Sequence, residues 1–185
     1  FSSQKPLRTV IADRDMGIQV GVAIGGKREA DSGDWADFTI DPSLLEGTSL
    51  TLMPSSYYSL SDPSRMRVKK SNIPIASVDI SFTEAFFQDA ASTGTHYAIP
   101  FRITGSSLDG VLEGKETSIV AVKYISSWHG VYYARGIMTA TDAGGNVISS
   151  ESYIRSDLSK NITRNLSTLS RETVCREGLG SFAAG

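Results

Sequence analysis

Residues 96–105 read HYAIPFRITG, and residues 117–125 read TSIVAVKYI. In the first stretch Tyr97, Ile99, Phe101 and Ile103 alternate with His96, Ala98, Arg102 and Thr104. A period of two places the apolar set on one face of a strand. The second stretch is apolar on both faces for several residues, so it reads as a central strand with both sides covered. Pro100 interrupts the first. It has no N–H to give to a ladder, which places it at an edge or a bulge.

The same period recurs on either side. Ile18, Val20, Val22 and Ile24 form one face, with Gln19, Gly21 and Ala23 opposite. Phe38 and Ile40 repeat the pattern, and Val78, Ile80 and Phe82 alternate with Ser77, Asp79 and Ser81. Turn signals separate these runs: Gly25-Gly26, Asp41-Pro42, Met53-Pro54, Asp62-Pro63, Gly94, Asp109-Gly110 and Gly144-Gly145-Asn146. No segment keeps a 3.6-residue period for three turns. PSLLEG (42–47) is short enough for a single turn and TEAFFQDA (83–90) for a helical corner. Short strands spaced by such turns predict an all-β chain built as an antiparallel β-sandwich.

Residues 1–125 complete that sandwich. Residues 126–130 form a junction, and residues 131–185 are read as part of a second β-rich domain. GVYYARGIMTATD and NVISSESYIR form a hairpin around Ala143-Gly144-Gly145, and NITRNLSTLSRETVCRE adds one or two strands. A segment of about 55 residues is too small for a good independent core. Its remainder is expected to be absent here, or its strands to dock on the first domain.

The 185 residues are 40% hydrophobic and 21% charged, with a net charge of −2, an ordinary globular balance. Mild acidity excludes a nucleic-acid partner, which calls for a basic stripe. The one basic run, Arg65 to Lys70, alternates like a strand and reads as a solvated edge. No apolar stretch approaches the ~20 residues of a membrane span. The sequence opens at Phe1 without a charged segment followed by an apolar one, which points to a removed leader or a start inside the gene. The single Cys175 excludes an internal disulfide and reads as a plain free thiol.

Each candidate chemistry meets a structural alternative. No G-x-S-x-G is present, and GSSLDG (105–110) has the wrong spacing. His96 lies on the polar face of a strand, and His129 precedes a glycine at the junction; both read as structural. Asp79 and Glu84 lack the paired placement across a bond that a glycosidase needs, and read as a solvated face. Asp31, Asp34 and Asp37 in DSGDWAD supply hard oxygens but not the calcium-loop spacing, and no Cys/His cluster exists for zinc, so no metal and no cofactor is assigned. AIGGK lacks the phosphate-loop frame. Asn161-Ile-Thr163 and Asn165-Leu-Ser167 fit a glycosylation sequon by composition. Exposed aromatics remain. Trp35, Tyr58, Trp128 and Tyr132 are the ligand-binding candidates, because an aromatic face suits the apolar face of a sugar; core or interface packing is the alternative for each.

Taken in order, FSSQKPLRTV, AIGG, TIDPSLLEG, MPSSYYSL, DISFTEAFFQD, HYAIPFRITG, VLEGKETSIVAVKYI and WHGVYYARG (residues 128–136) resemble the N-terminal β-sandwich domain of unknown function in surface lipoproteins of polysaccharide-utilisation loci. In that family the domain also precedes some family 18 endo-β-N-acetylglucosaminidase modules, laminin-G-like modules or a second β-rich domain, whose opening WHGVYYARG is similar to. The resemblance implies an immunoglobulin-like sandwich, export, a lipid anchor outside this chain as the sole membrane attachment, and outer-membrane transporter components of the same locus as partners. It brings no catalytic site, since the acidic D-x-x-D-x-D-x-E motif of the barrel module is missing. The expected function is a non-catalytic cell-surface protein that binds or positions glycan. The alternative is an adhesin-like or structural spacer, and a glycoside hydrolase ranks last. SSWHGVYYARG (126–136) reads as the domain junction, with His129-Gly130 in the turn and Trp128 buried by packing.

Overall fold

The computed structural model describes residues 1–25, 33–69, 74–176 and 178. The chain forms two compact units, residues 1–127 and 128–185.

Unit 1 contains strands β1 (Leu7–Ile11), β2 (Gly17–Ala23), β3 (Trp35–Ile40), β4 (Thr51–Leu52), β5 (Tyr58–Leu60), β6 (Arg65–Val68), β7 (Ile75–Phe82), β8 (Tyr97–Ser106) and β9 (Thr117–Ile125), with one short helix α1 (Glu84–Gln88). They join in the order β1-β9-β8-β3-β6-β7-β2, with β4 added on β8 and β5 on β7. Consecutive strands β1 and β2 stand at the two ends of this order, joined by a turn in which Arg14 and Asp15 donate back to the Ile11 carbonyl. The sheet is thus rolled around one core, and the expected all-β sandwich is present. Most pairs are antiparallel; β1 with β9 and β4 with β8 are parallel.

The alternation read from the sequence sets the core. Val20, Ile24, Phe38, Val78, Ile80, Phe82, Ile99, Phe101 and Ile103 are buried in one cluster. Strand β9 sends Val120, Val122 and Tyr124 into it. Its other face, Ile119 and Ala121 with Ala98 of β8, lies under Leu44, Leu45 and Leu50. The PSLLEG segment is a 3₁₀ turn over Pro42–Leu45, capped by Asp41, whose carboxylate accepts from the Ser43 amide. The second Asp41 oxygen accepts from Arg102 Nε at 2.6 Å and ties this cover to β8. That cover is why β9 is apolar on both sides.

Two local expectations are corrected. Pro100 lies in an interior strand, at the point where β8 changes neighbour. The Ala98 carbonyl accepts from Met53 beside β4, and the Pro100 carbonyl accepts from Asp41 just past β3. The missing N–H falls at that changeover, where no ladder acceptor is needed. Arg65 to Val68 is likewise interior, between β3 and β7. Met66 and Val68 face the core, and the two arginines face outward.

The helical corner closes the core. Phe86 and Phe87 of α1 are buried, and the Phe86 ring stands 4.7 Å from Phe82 and 5.8 Å from Tyr124. Asp89 holds the corner: one oxygen accepts from the Ala91 amide, the other from Tyr57 (3.0 Å) and Tyr97 (2.6 Å) hydroxyls.

Unit 2 contains β10 (Gly130–Ala134), β11 (Ile137–Thr141), β12 (Val147–Ser152), β13 (Ile162–Thr168) and β14 (Val174–Arg176). They form a three-stranded sheet β10-β13-β14 and a hairpin β11-β12. Asp142 closes the hairpin turn, accepting from the Gly144 and Asn146 amides. Among its described residues no hydrophobic side chain is buried.

Phe86→Ala should destabilise the chain by about 3–5 kcal/mol, the cost of an aromatic-sized cavity in a closed ring cluster. Urea unfolding followed by far-UV circular dichroism measures it.

Candidate functional site

The aromatic candidates fall in three settings. Trp128 is 64% exposed, where the junction reading expected it buried, and Tyr132 on β10 is 41% exposed. The Tyr132 hydroxyl donates to the Trp128 backbone carbonyl at 3.0 Å, which ties the Tyr132 ring to the backbone of residue 128. Strand β10 forms one edge of its sheet, and in its register with β13 Arg164 stands opposite Tyr132. Two exposed aromatic residues thus stand at and just before an edge strand, with Arg164 at the register position opposite Tyr132. His129 secures the start of the segment: its Nδ1 accepts from the Thr168 amide at 3.2 Å. The ring is a structural tie at that nitrogen.

Trp35 opens β3 and is half-buried. The Arg65 guanidinium lies 4.1 Å over its ring, and Arg65 in turn makes a two-point ion pair with Asp37, at 2.6 and 3.0 Å. One indole face is therefore occupied within the fold, and the bonds from Arg65 hold the Asp37 carboxyl below the usual carboxylate range. Trp35 also borders a cleft of about 710 Å³. Val22, Ile24, Ala36, Ile103 and Leu112 give it apolar walls, with Asp109 and Lys115 among its polar members. Sequence reading missed this cleft, because Leu112 and Ile103 carry no chemical signal of their own and meet only in the fold. Tyr58 is half-buried against the core, where burial pushes its hydroxyl pKa up. It packs rather than presents a platform.

The titratable residues weighed for catalysis are engaged in structure. Asp79 accepts from Lys69 Nζ at 2.5 Å and Gln19 Nε2 at 3.0 Å, which lowers its pKa. Glu84 opens α1. The exposed His96 ring stands edge-on to Tyr97 at 4.6 Å. Asp34 is buried and accepts from the Ser107 hydroxyl at 3.2 Å. Asp31 and the Gly26-Lys27 part of AIGGK lie outside the described residues. Among the described residues no group of three or more His, Cys, Asp or Glu converges on a common point. Of the two sequons, Asn161 is buried, and its amide donates to the Arg155, Asp157 and Leu158 carbonyls; it is a structural plug. Cys175 is an exposed free thiol.

The fold and these sites define a class: a β-sandwich module with an appended β unit, in which no helix of the described residues is long and apolar enough to cross a membrane. A family model described as "-like, N-terminal domain" matches residues 2–110, more than half of the chain, and the chain belongs to that N-terminal-domain family. A Bacteroides ovatus protein of unknown function is 26% identical, with a TM-score of 0.77 over 92% of this chain and 65% of its own. This chain thus spans less than two-thirds of that relative's length. An auxiliary nutrient-binding protein of Bacteroides thetaiotaomicron shares the fold at 13% identity, with a TM-score of 0.52 over 96% of this chain and 61% of its own. A second B. ovatus protein of unknown function shares it at 12% identity and a TM-score of 0.51, over 95% and 58%. No curated protein matches this chain.

Two expectations follow. In Trp128→Phe, the remaining Trp35 emission should be blue-shifted and several-fold less sensitive to acrylamide than in the parent, because its ring is half-buried under Arg65. A Stern–Volmer titration of parent and variant checks this. The second concerns pH. The Tyr97 and Ala91 bonds depress the Asp89 pKa below its ordinary 3.8, so its contribution is present above that value and is lost as pH falls through the folded-state pKa. The Tyr97 hydroxyl, pushed up to about 12 by Asp89, adds stability that is lost as pH rises from 10 towards 12. Urea midpoints across pH should show both losses, and Asp89→Asn should flatten both limbs.

Proposed function

We propose that this chain is a non-catalytic module of an exported, cell-surface protein of a glycan-utilisation system, and that it binds or positions glycan. The observation that carries the reading is the exposure of two aromatics close in the chain, Trp128 just before the edge strand β10 and Tyr132 on it, with Arg164 opposite Tyr132 in the register. Aromatic faces stack on sugar rings, and a nearby guanidinium donates to hydroxyls. The nutrient-binding name of one fold relative supports the same class of role. The engagement of Asp79, His129 and Asp34 within the fold supports a holding role over turnover. In this reading, membrane attachment is through a lipid anchor and the partners are outer-membrane transporter components of the same system.

A structural spacer is the second reading. The observation that favours it is the way β1 and β9, the first and last strands of unit 1, are paired in parallel.

Affinity electrophoresis against a panel of soluble polysaccharides, followed by calorimetry on any that retard the protein, tests the first reading. Trp128→Ala should weaken binding about tenfold, the worth of one good stacking contact. An unretarded protein across the panel, or an affinity unchanged in Trp128→Ala, would remove the aromatic site and leave the spacer.

A further inference from the structure

We infer that unit 1 is a mechanical clamp, built to resist tension applied along the chain between its N-terminal end and residue 127. The feature that assigns this is the seam between the first and last strands. β1 and β9 are parallel, in unbroken register from Leu7 opposite Ala121 to Ile11 opposite Ile125. Hydrogen bonds extend the seam beyond both ends. The Ser118 hydroxyl donates to the Ser3 carbonyl, the Ile119 amide to Gln4 and the Ala121 amide to Pro6; at the far end the Ala12 amide donates to Ile125.

Direction is what matters. A pull on the N-terminal end drags β1 backwards along its axis. A pull at residue 127 drags β9 forwards along a parallel axis. The two strands are then sheared past each other, and every seam bond must yield together. Had they been antiparallel neighbours, the same pull would open the bonds one at a time from an end. The resistance of a folded domain to force is set by its unfolding barrier and not by its equilibrium stability. Simultaneous rupture of a whole ladder raises that barrier along the pulled direction.

Side chains reinforce the seam. Val10 of β1 and Val120, Val122 and Tyr124 of β9 are buried in the core, so sliding also drags apolar groups through a packed interior. Tyr124 is held between Phe86 and Phe87, at 5.8 and 5.3 Å. The clamp gives the spacer reading a concrete activity: passing tension through unit 1 to the segment that follows it. It stands on the seam alone, so it holds whether or not Trp128 meets a sugar.

Single-molecule force spectroscopy on the full chain tests it, with the exposed Cys175 replaced by Ser so that one introduced thiol serves as the second handle. The N-terminal end is one attachment point. The other is Ser127→Cys, which shears the seam, or Lys115→Cys, which lies two residues before β9 and unzips it. The two variants should have the same urea midpoint. The unfolding force at equal loading rate should be about threefold or more higher in the shearing geometry, because several bonds share the load. Arg8→Pro, which removes a seam donor from an exposed position, should bring the shearing force down towards the unzipping value, while Arg8→Ala should not. Equal forces in the two geometries would overturn the clamp, as would an Arg8→Pro force matching that of Arg8→Ala.

Discussion

Strand β9 has to be covered on four sides, and the rest of unit 1 is arranged to do it. Its edges are taken by β8 and β1. One face needs the sandwich core, with Phe86 and Phe87 against Tyr124 and Phe82 against Phe86. The other face needs Leu44, Leu45 and Leu50, so the chain detours through the 3₁₀ turn between β3 and β4 to supply them. The polar tethers secure these covers. Asp41 pins the leucine cover to β8, and Asp89 pins the helical corner through two tyrosines. Each tether sits where a connecting segment has too little apolar area to hold itself in place.

Much of this was legible in the sequence because a strand with one buried face writes its own pattern. The runs at residues 18–24, 78–82 and 97–103 and the two-faced run at 117–125 went to strands with the expected inward sets. Strand order was not legible, since it depends on which edges meet after the chain has returned on itself. That is why Pro100 pointed to an edge. A proline needs a place without an acceptor for its absent N–H, and an interior strand supplies one wherever it changes neighbour. The Arg65–Val68 run misled for a related reason: outward-facing charges look the same on an edge strand and on an interior strand with one wet face.

The candidate site was legible only as residue types. Rare aromatics named Trp35, Tyr58, Trp128 and Tyr132, but exposure separates them, and exposure is decided by partners distant in sequence. Arg65 covers one face of Trp35 from thirty positions away along the chain, and the core takes Tyr58. Trp128 and Tyr132 stay open because the small β10-β13-β14 sheet encloses no hydrophobic side chain among its described residues. Nothing local in WHGVYYARG distinguishes an aromatic that stays open from one that is covered.

The two proposed roles place compatible demands on different parts of the molecule. Holding a polymer at a surface needs open, rigid contact groups; the price in a small β unit is apolar area left to solvent, seen at Val131, Tyr132 and Tyr133. A module that grips a polymer is also pulled by it, and tension reaches the neighbouring unit through the chain at residue 127. That unit meets it with the one strand arrangement in which the first and last elements shear instead of peel. Turnover would ask for something else: a carboxylate or imidazole left unsatisfied and aimed at a substrate. Asp79, Asp34 and His129 are instead consumed in holding strands and loops together. Among the described residues these polar groups maintain shape, while Trp128, Tyr132 and Tyr133 are exposed. That division of labour fits the proposed roles of holding and transmitting.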